Sequence, residues 1–346
     1  MTESPEIEFT HLVRLASERS LSLAEAEIAF NEVMEGRATP VQIAALLVGI
    51  RARGAVATEV AGGVKALRKA MVGVRGGGDN LIDTCGTGGG LVTTFNISTA
   101  AAFVAAAGGA RVAKHGNRSF TSRCGSADVL EVLGVKLELS PERQAEILEE
   151  IGIVFMFAPL HHPAMRHAAP IRRELGMPTI MNILGPLTNP AGARRQVVGV
   201  ADPQLLDLVA DSLRVLGHER ALVVHGQPGM DEFSPLGTTQ VLELRAGDVR
   251  RWAFDPEEEL GWTGYGAAEM AGGDKETNAA IIADVLSGRR SGAARAAVVL
   301  NAAAALYIAD RAASIVEGVG AAEAILDSGE AWRLLERLRE ESQSRS

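Results

Sequence analysis

The chain has 346 residues, 47% of them hydrophobic, which is ample length for two domains or for one large α/β domain with an appendage. A net charge of -9 and an aromatic content of only 4% speak against a nucleic-acid partner, since neither a phosphate backbone nor stacked bases would find a matching surface. No basic-then-apolar leader precedes the first helix, no apolar run nears the roughly 20 residues that span a bilayer, and Cys85 and Cys124 lack CxxC spacing, so a cytoplasmic, membrane-free protein with reduced thiols is expected.

From Ile7 to about Met71 every signal is helical. Phe9, Leu12, Val13 and Ala16 share one face, Ser22 with Glu25 forms a capping box ahead of Ala24 to Met34, Thr39-Pro40 opens a third helix and Thr58 a fourth. This predicts a small all-helical domain over residues 1–73, ended by a hinge that holds Gly73, Gly76, Gly77 and Gly78. Apolar faces left over on these helices are a candidate dimer surface.

Beyond the hinge, short β-branched runs alternate with helices. Strands are predicted at Leu81-Ile82, Arg111 to Ala113, Val135 to Leu139, Ile153 to Phe157, Gln196 to Val200, Ala221 to Val224 and Gln240 to Leu244, and helices at Ser98 to Ala107, Ser126 to Leu133, Pro141 to Ile151 and Pro203 to Leu216. Such alternation gives an α/β domain, over residues 79–346, whose mainly parallel sheet is covered on both faces and collects ligands at the carboxyl ends of its strands. Lys275 to about Glu340 is Ala-rich, helical and expected to pack on the sheet, while Glu341 to Ser346 should fray.

One stretch stands apart. Between Asp83 and Asp128 there is no acidic residue, although 44 positions of average composition would hold about five or six. It opens with the loop Cys85-Gly86-Thr87-Gly88-Gly89-Gly90 between a strand and a helix, the layout of an anion cradle in which glycines turn backbone N–H groups inward and the helix adds its positive end. Its second half gathers Arg111, Lys114, Arg118 and Arg123 around His115 and Asn117. A dinucleotide fingerprint does not fit, because Leu91 replaces the third glycine and no acid follows about twenty residues later; a Walker loop does not fit either, because no Gly-Lys-Ser/Thr closes it.

Asp231-Glu232 follows a strand and the loop His225 to Met230, which puts two carboxylates at a strand's carboxyl end, where Mg²⁺ could bridge them to a bound diphosphate. His161, His162 and His167 lack the spacing of a helical metal site and read as core or pocket-lining residues. Arg172-Arg173 reads as a solvated helical face, or as a guanidinium gripping a substrate carboxylate. Turn chemistry accounts for Asn182 to Pro190, broken by Gly185-Pro186 and Asn189-Pro190.

Together these segments resemble the anthranilate phosphoribosyltransferases over nearly the whole chain. The resemblance rests on Gly86-Thr87-Gly88-Gly89, Thr94 to Thr99, Lys114 to Arg118, Gly125 to Asp128, Asn182 to Pro190 and Gly229 to Glu232. It implies a helical domain, joined by a helical segment around 170–190, on a larger α/β domain of the nucleoside phosphorylase and phosphoribosyltransferase type, and a homodimer through the helical part. The implied reaction joins phosphoribosyl pyrophosphate to anthranilate in tryptophan synthesis. Gly86, Gly89, Gly90, Thr94, Asn96, Ile97, Ser98, Thr99, the run Lys114, His115, Gly116, Asn117, Arg118, Ser119, Phe120, Thr121 and Ser122, and Ser126 would hold phosphoribosyl pyrophosphate. Lys114, His115, Asn117 and Arg118 would be catalytic, Ser98, Asp231 and Glu232 would position Mg²⁺, and Gly86, Asn117, Arg172, His115, His162 and Pro186 would surround anthranilate. The family's loop continues with Asp-Gly where this chain has Gly90-Leu91, so its Mg²⁺ dependence is expected to differ. The alternatives are a pyrimidine nucleoside phosphorylase and a non-catalytic, nucleic-acid-binding relative; Asp231-Glu232 and the acidic balance speak against them.

Overall fold

The computed structural model describes residues 8–76, 78, 80–119 and 124–344. Four helices open it, α1 (Phe9–Glu18), α2 (Leu23–Met34), α3 (Pro40–Arg53) and α4 (Ala57–Ala70). The capping box at α2 forms: Glu25 N–H donates to Ser22 Oγ and Ser22 N–H to Glu25 Oε2, at 3.3 and 2.9 Å. Thr39 and Gln42 make the same exchange at α3. Helix α4 starts one residue before the predicted Thr58, whose hydroxyl donates instead to Leu21 O; buried Glu59 caps the helix and pairs with Arg53.

The strands β1 (Leu81–Gly86), β2 (Arg111–Gly116), β3 (Ile153–Phe157), β4 (Arg195–Gly199), β5 (Arg220–Gly226), β6 (Thr239–Arg245) and β7 (Asp248–Phe254) form one sheet in the order β3-β2-β1-β4-β5-β6-β7. The first five neighbours are parallel and the last two pairings antiparallel. Strand β1 lies between β2 and β4, the point where the strand order reverses and an α/β sheet opens a crevice.

Helices α5 (Ile97–Ala107), α6 (Ser126–Val132), α7 (Pro141–Ile151), α8 (Ala158–His161), α9 (Ala169–Leu175), α10 (Met181–Leu184) and α11 (Leu205–Val215) fall between the strands, and α12 (Pro256–Leu260), α13 (Lys275–Leu286), α14 (Ala293–Ile308), α15 (Ile315–Ser328) and α16 (Glu330–Gln343) follow them. The period of two along each strand sorts the core into two layers. Val197, Leu222, Val224 and Val241 face one cluster with α5 and α14, while Val198, Ala221, Val223 and Leu242 face the other, which holds α1 to α4, α9 to α11 and the buried part of residues 168–187. The helical part therefore shares a core with one face of the sheet.

Three expectations need correction. Residues Val135 to Leu139 are not a strand: their alternation seats Val135 and Leu137 in the core while Lys136 N–H donates to Ser342 Oγ, a helix partner rather than a ladder. Residues 341–344 do not fray; α16 runs to Gln343, with Ser342 buried and Glu341 bonded to Arg143. The seventh strand was not expected, because an edge strand exposed along most of its length carries no apolar run. The glycine connection is pinned where Val72 N–H donates to His161 O and Val74 N–H to Pro190 O; Gly77 lies outside the described residues.

Candidate active site

The glycine loop, the start of α5, the end of β2 and the turn after β5 meet at the carboxyl edge of the sheet. Asp231 binds them together: its Oδ2 accepts the Gly88 N–H at 2.9 Å, while Thr87 N–H donates to Gly199 O and Leu91 N–H to Gly229 O. The approach is close enough that a Cβ at Gly199 would overlap the Asp231 carbonyl and one at Gly86 would sit 2.6 Å from Asp231 Oδ2. Glycine at these positions admits the acidic pair to the cradle.

Glu232 reaches the helix start, its Oε1 accepting the Ser98 N–H at 3.1 Å, while its Oε2 is buried without a partner. Burial pushes both carboxyls above their usual range, Glu232 strongly, and each is further disfavoured as an anion or relieved by its neighbours: Asp231 raises Glu232, and the Gly88 N–H lowers Asp231. A buried Glu232 carboxyl oxygen without a partner, lining one cavity with Asp231 and Ser98, makes a hard-oxygen donor set of the kind Mg²⁺ takes. Among the described residues no group of three or more His, Cys, Asp or Glu side chains could hold a metal, so substrate oxygens would have to complete the shell. These residues fit Mg²⁺ in that form.

Lys114 is buried on β2 and donates to Thr84 O at 2.6 Å, with Thr84 Oγ1 and Ser98 Oγ each at 3.4 Å. Beneath it Asp83 accepts from His115 N–H, Asn189 Nδ2 and Gln196 Nε2. Burial pushes the Asp83 carboxyl up and the Lys114 amine down, and their mutual attraction opposes both shifts. His115 and His162 face each other with Nε2 atoms 3.2 Å apart and rings edge-on. Burial holds both imidazoles neutral, His115 well below its ordinary value and His162 at about 4, so one ring donates and the other accepts. Pro186 enters through its carbonyl, which accepts from Gln196 Nε2 at 3.0 Å and from Cys85 Sγ at 3.5 Å.

Several expected binding residues are engaged with the protein. The Ile97 side chain lies in the core and its N–H donates to Phe95 O. Thr94 bridges to Ala271, Thr99 is fully buried, and Asn96 bonds Cys124 and Asn278. Arg118 pairs with Asp128 and Glu131, and its guanidinium lies 5.5 Å from the Phe157 ring centroid. Asp128 Oδ2 accepts from Ser119 and Gly125 N–H, thereby closing the two ends of the basic loop, and Ser126 Oγ bonds Asn117 O. Gly116 leaves room for Ser126 and Phe155. Gly89 has a left-handed φ of 83°, and a Cβ at Gly90 would lie 2.9 Å from Gly229 O. Arg172 is half-buried on α9, and its guanidinium makes no hydrogen bond or ion pair among the described residues. Phe120, Thr121 and Ser122 lie outside the described residues.

Asp83, Asn189, Gln196, Asn278 and Asn301 were given no site role in the sequence reading. Asn301, on α14, grips Phe233 from both sides, accepting its N–H at 3.0 Å and donating to its carbonyl at 2.9 Å, which fixes the backbone beyond the acidic pair. Its one signal was a polar residue within an alanine helix.

The architecture and this site define a class, the glycosyl transferases built from a helical bundle and an α/β domain: the model of the helical bundle domain of that family matches residues 10–71 and that of its a/b domain residues 78–332. Relatives include an anthranilate phosphoribosyltransferase of Rubrobacter xylanophilus, 51% identical over 94% of this chain and 95% of that one, and one of Thermomicrobium roseum, 50% identical over 95% of each. The crystal structure of the Thermus thermophilus anthranilate phosphoribosyltransferase superposes with a TM-score of 0.91 at 45% identity, over 96% of this chain and 99% of that one. A Saccharomyces cerevisiae enzyme of the same name, in complex with PRPP and Mg, gives 0.88 at 25% identity over 97% and 98%. The chain belongs to the anthranilate phosphoribosyltransferase family.

Proposed function

We propose that this protein transfers the phosphoribosyl group of phosphoribosyl pyrophosphate to the amine of anthranilate, giving N-(5-phosphoribosyl)anthranilate and pyrophosphate, a step of tryptophan biosynthesis. The observation that carries the reading is the contact of Asp231 and Glu232 with the glycine loop and the helix start, since a diphosphate cradle and a carboxylate pair on one sheet edge suit a leaving pyrophosphate.

The C1–oxygen bond to pyrophosphate breaks as the C1–nitrogen bond forms, and the proton that the nitrogen loses passes to solvent. The amine is neutral at pH 7 and needs no strong base for attack. Negative charge grows on the leaving group, and Lys114, the Asn117 to Arg118 segment and the N–H groups of Gly89 and Gly90 supply the compensating field, since those of Thr87, Gly88, Ser98 and Thr99 already donate within the protein. Mg²⁺, held by Ser98, Asp231 and Glu232, would neutralise pyrophosphate charge when bound. Arg172, whose guanidinium has no partner among the described residues, is assigned to the anthranilate carboxylate. The neutral His115 and His162 pair and Pro186 would line the same pocket.

Residues 1–73 are taken as the helical domain, joined by the segment around 170–190, and 79–346 as the catalytic domain; the cluster that packs Ala168, Ile171 and Ile180 to Leu187 with α1 to α4 supports the joining segment, and it continues onto β4 to β6, where the two parts share a core. Exposed Ile28, Val41 and Val48 on α2 and α3 support a homodimer through the helical part. Two cysteines without a disulfide suit a cytoplasmic location. The test is pyrophosphate release: it should require phosphoribosyl pyrophosphate, anthranilate and Mg²⁺ together. Phosphorolysis of a pyrimidine nucleoside without such release would favour the phosphorylase reading.

A further inference from the structure

Asn278 lies on α13, 182 residues from Asn96, and is almost fully buried. Its Oδ1 faces the Gly273 N–H at 2.7 Å and can only accept there, so its Nδ2 is the atom that faces Asn96 Oδ1 at 3.1 Å. The Asn96 amide is oriented by the same logic: Nδ2 faces the Cys124 carbonyl at 3.2 Å and must donate, which leaves Oδ1 to accept from Asn278 and, at 3.5 Å, from the Cys124 thiol. Each amide orientation is thus forced by a backbone group, and the two agree.

The relay ends at two functional places. Asn96 precedes α5, whose first residues meet Glu232 and Lys114, and Cys124 closes the basic loop that begins at Asn117. A second link runs beside it, because Phe95 N–H donates to Met270 O and Gly272 N–H to Thr93 O. We propose that Asn278 is a positioning residue for phosphoribosyl pyrophosphate: through Asn96 it sets the distance between the helix start and the end of the basic loop. This rests on the reading that residues 96–99 and 114–118 hold that substrate. Asn278 itself touches no reacting atom. Loss of its donor leaves Asn96 with only a thiol to fix its oxygen, and the two walls of the cradle lose their tie.

The experiment compares Asn278→Ala, Asn278→Asp, Asn96→Ala and the double variant Asn96→Ala/Asn278→Ala in the full-length enzyme, by steady-state kinetics for each substrate and by thermal melting. Asn278→Asp keeps the shape and the Gly273 contact but sets a buried carboxylate oxygen against Asn96 Oδ1 in place of the donor, so it provides a second reading if the alanine variant folds poorly. The expected result is a rise of about tenfold in KM for phosphoribosyl pyrophosphate in both Asn278 variants. KM for anthranilate should stay within twofold, and the double variant should be no worse than Asn96→Ala alone. A rise with Asn96→Ala but not with either Asn278 variant would overturn the positioning role. Equal rises in both KM values, tracking the loss of melting temperature, would reduce Asn278 to a structural residue and overturn it as well. No effect of Asn96→Ala would overturn the site reading beneath it.

Discussion

Asp231 Oδ2 accepts the backbone N–H of Gly88 across 143 residues of sequence, so the carboxylate pair and the glycine loop are one unit. Asp231→Asn keeps an acceptor for Gly88 and removes the charge, whereas Asp231→Ala removes both. The Mg²⁺ concentration for half-maximal activity should rise at least about tenfold in Asp231→Asn, and Asp231→Ala should lose about 1–3 kcal/mol more ground-state order in the loop. Activity titrated with Mg²⁺, beside melting curves with and without the ion, separates the two; identical Mg²⁺ profiles for wild type and Asp231→Asn would contradict the assignment.

Gly90 has a structural reason to stay small. Because its Cβ would lie 2.9 Å from Gly229 O, a backbone atom, any side chain must push the loop away from the Asp231 turn. Gly90→Ala should cost about 1–3 kcal/mol of stability with an unchanged Mg²⁺ profile, while Gly90→Asp adds a carboxylate and should alter that profile as well. Superimposable Mg²⁺ titrations for wild type and Gly90→Asp would refute a role for the family's missing acid.

Arg172→Ala should raise KM for anthranilate by about 10- to 100-fold, the worth of a charged hydrogen-bonded pair, and leave KM for phosphoribosyl pyrophosphate within twofold. Arg172→Lys should recover only part, since an ammonium cannot reproduce a bidentate grip. Undiminished anthranilate affinity in Arg172→Ala would remove it from the site.

His218 is buried with both ring nitrogens unpartnered, and burial, aided by nearby Arg68 and Arg194, lowers its pKa from 6.5 to about 3. A base whose pKa is depressed on folding gives stability that is present above 6.5 and lost as pH falls towards 3. His218→Leu should therefore be about 1 kcal/mol more stable than wild type at pH 7.5, with the gap widening by about 1.4 kcal/mol per pH unit below 6.5. Urea midpoints at several pH values measure this, and parallel stability curves would contradict it.

Much of the site was legible because its chemistry is local. A glycine loop, a helix start and a run of cations announce an anion within one acid-free window, and the caps at Ser22 and Thr39 fix helix starts from four residues each. What was not legible depends on distant partners. Asn189 beneath Asp83, Asn278 beside Asn96 and Asn301 on Phe233 are ordinary asparagines until the fold brings a carboxylate, an amide or a backbone group to them. Arg118 illustrates the converse: its charge was plain in the sequence, but Asp128 and Glu131, at the edge of the window and beyond it, pair with that charge in the fold. Val135 to Leu139 and β7 failed on periodicity, the first because alternation also serves a connection lying on the core, the second because an edge strand need not be apolar.

The central claim is the transfer itself, and the loss of anthranilate fluorescence tests it most directly. Purified protein mixed with anthranilate, phosphoribosyl pyrophosphate and Mg²⁺ should extinguish that fluorescence, omission of any one component should preserve it, and a mass for phosphoribosyl anthranilate should appear as the signal falls. Persistent fluorescence from a folded protein with all components present would contradict the account.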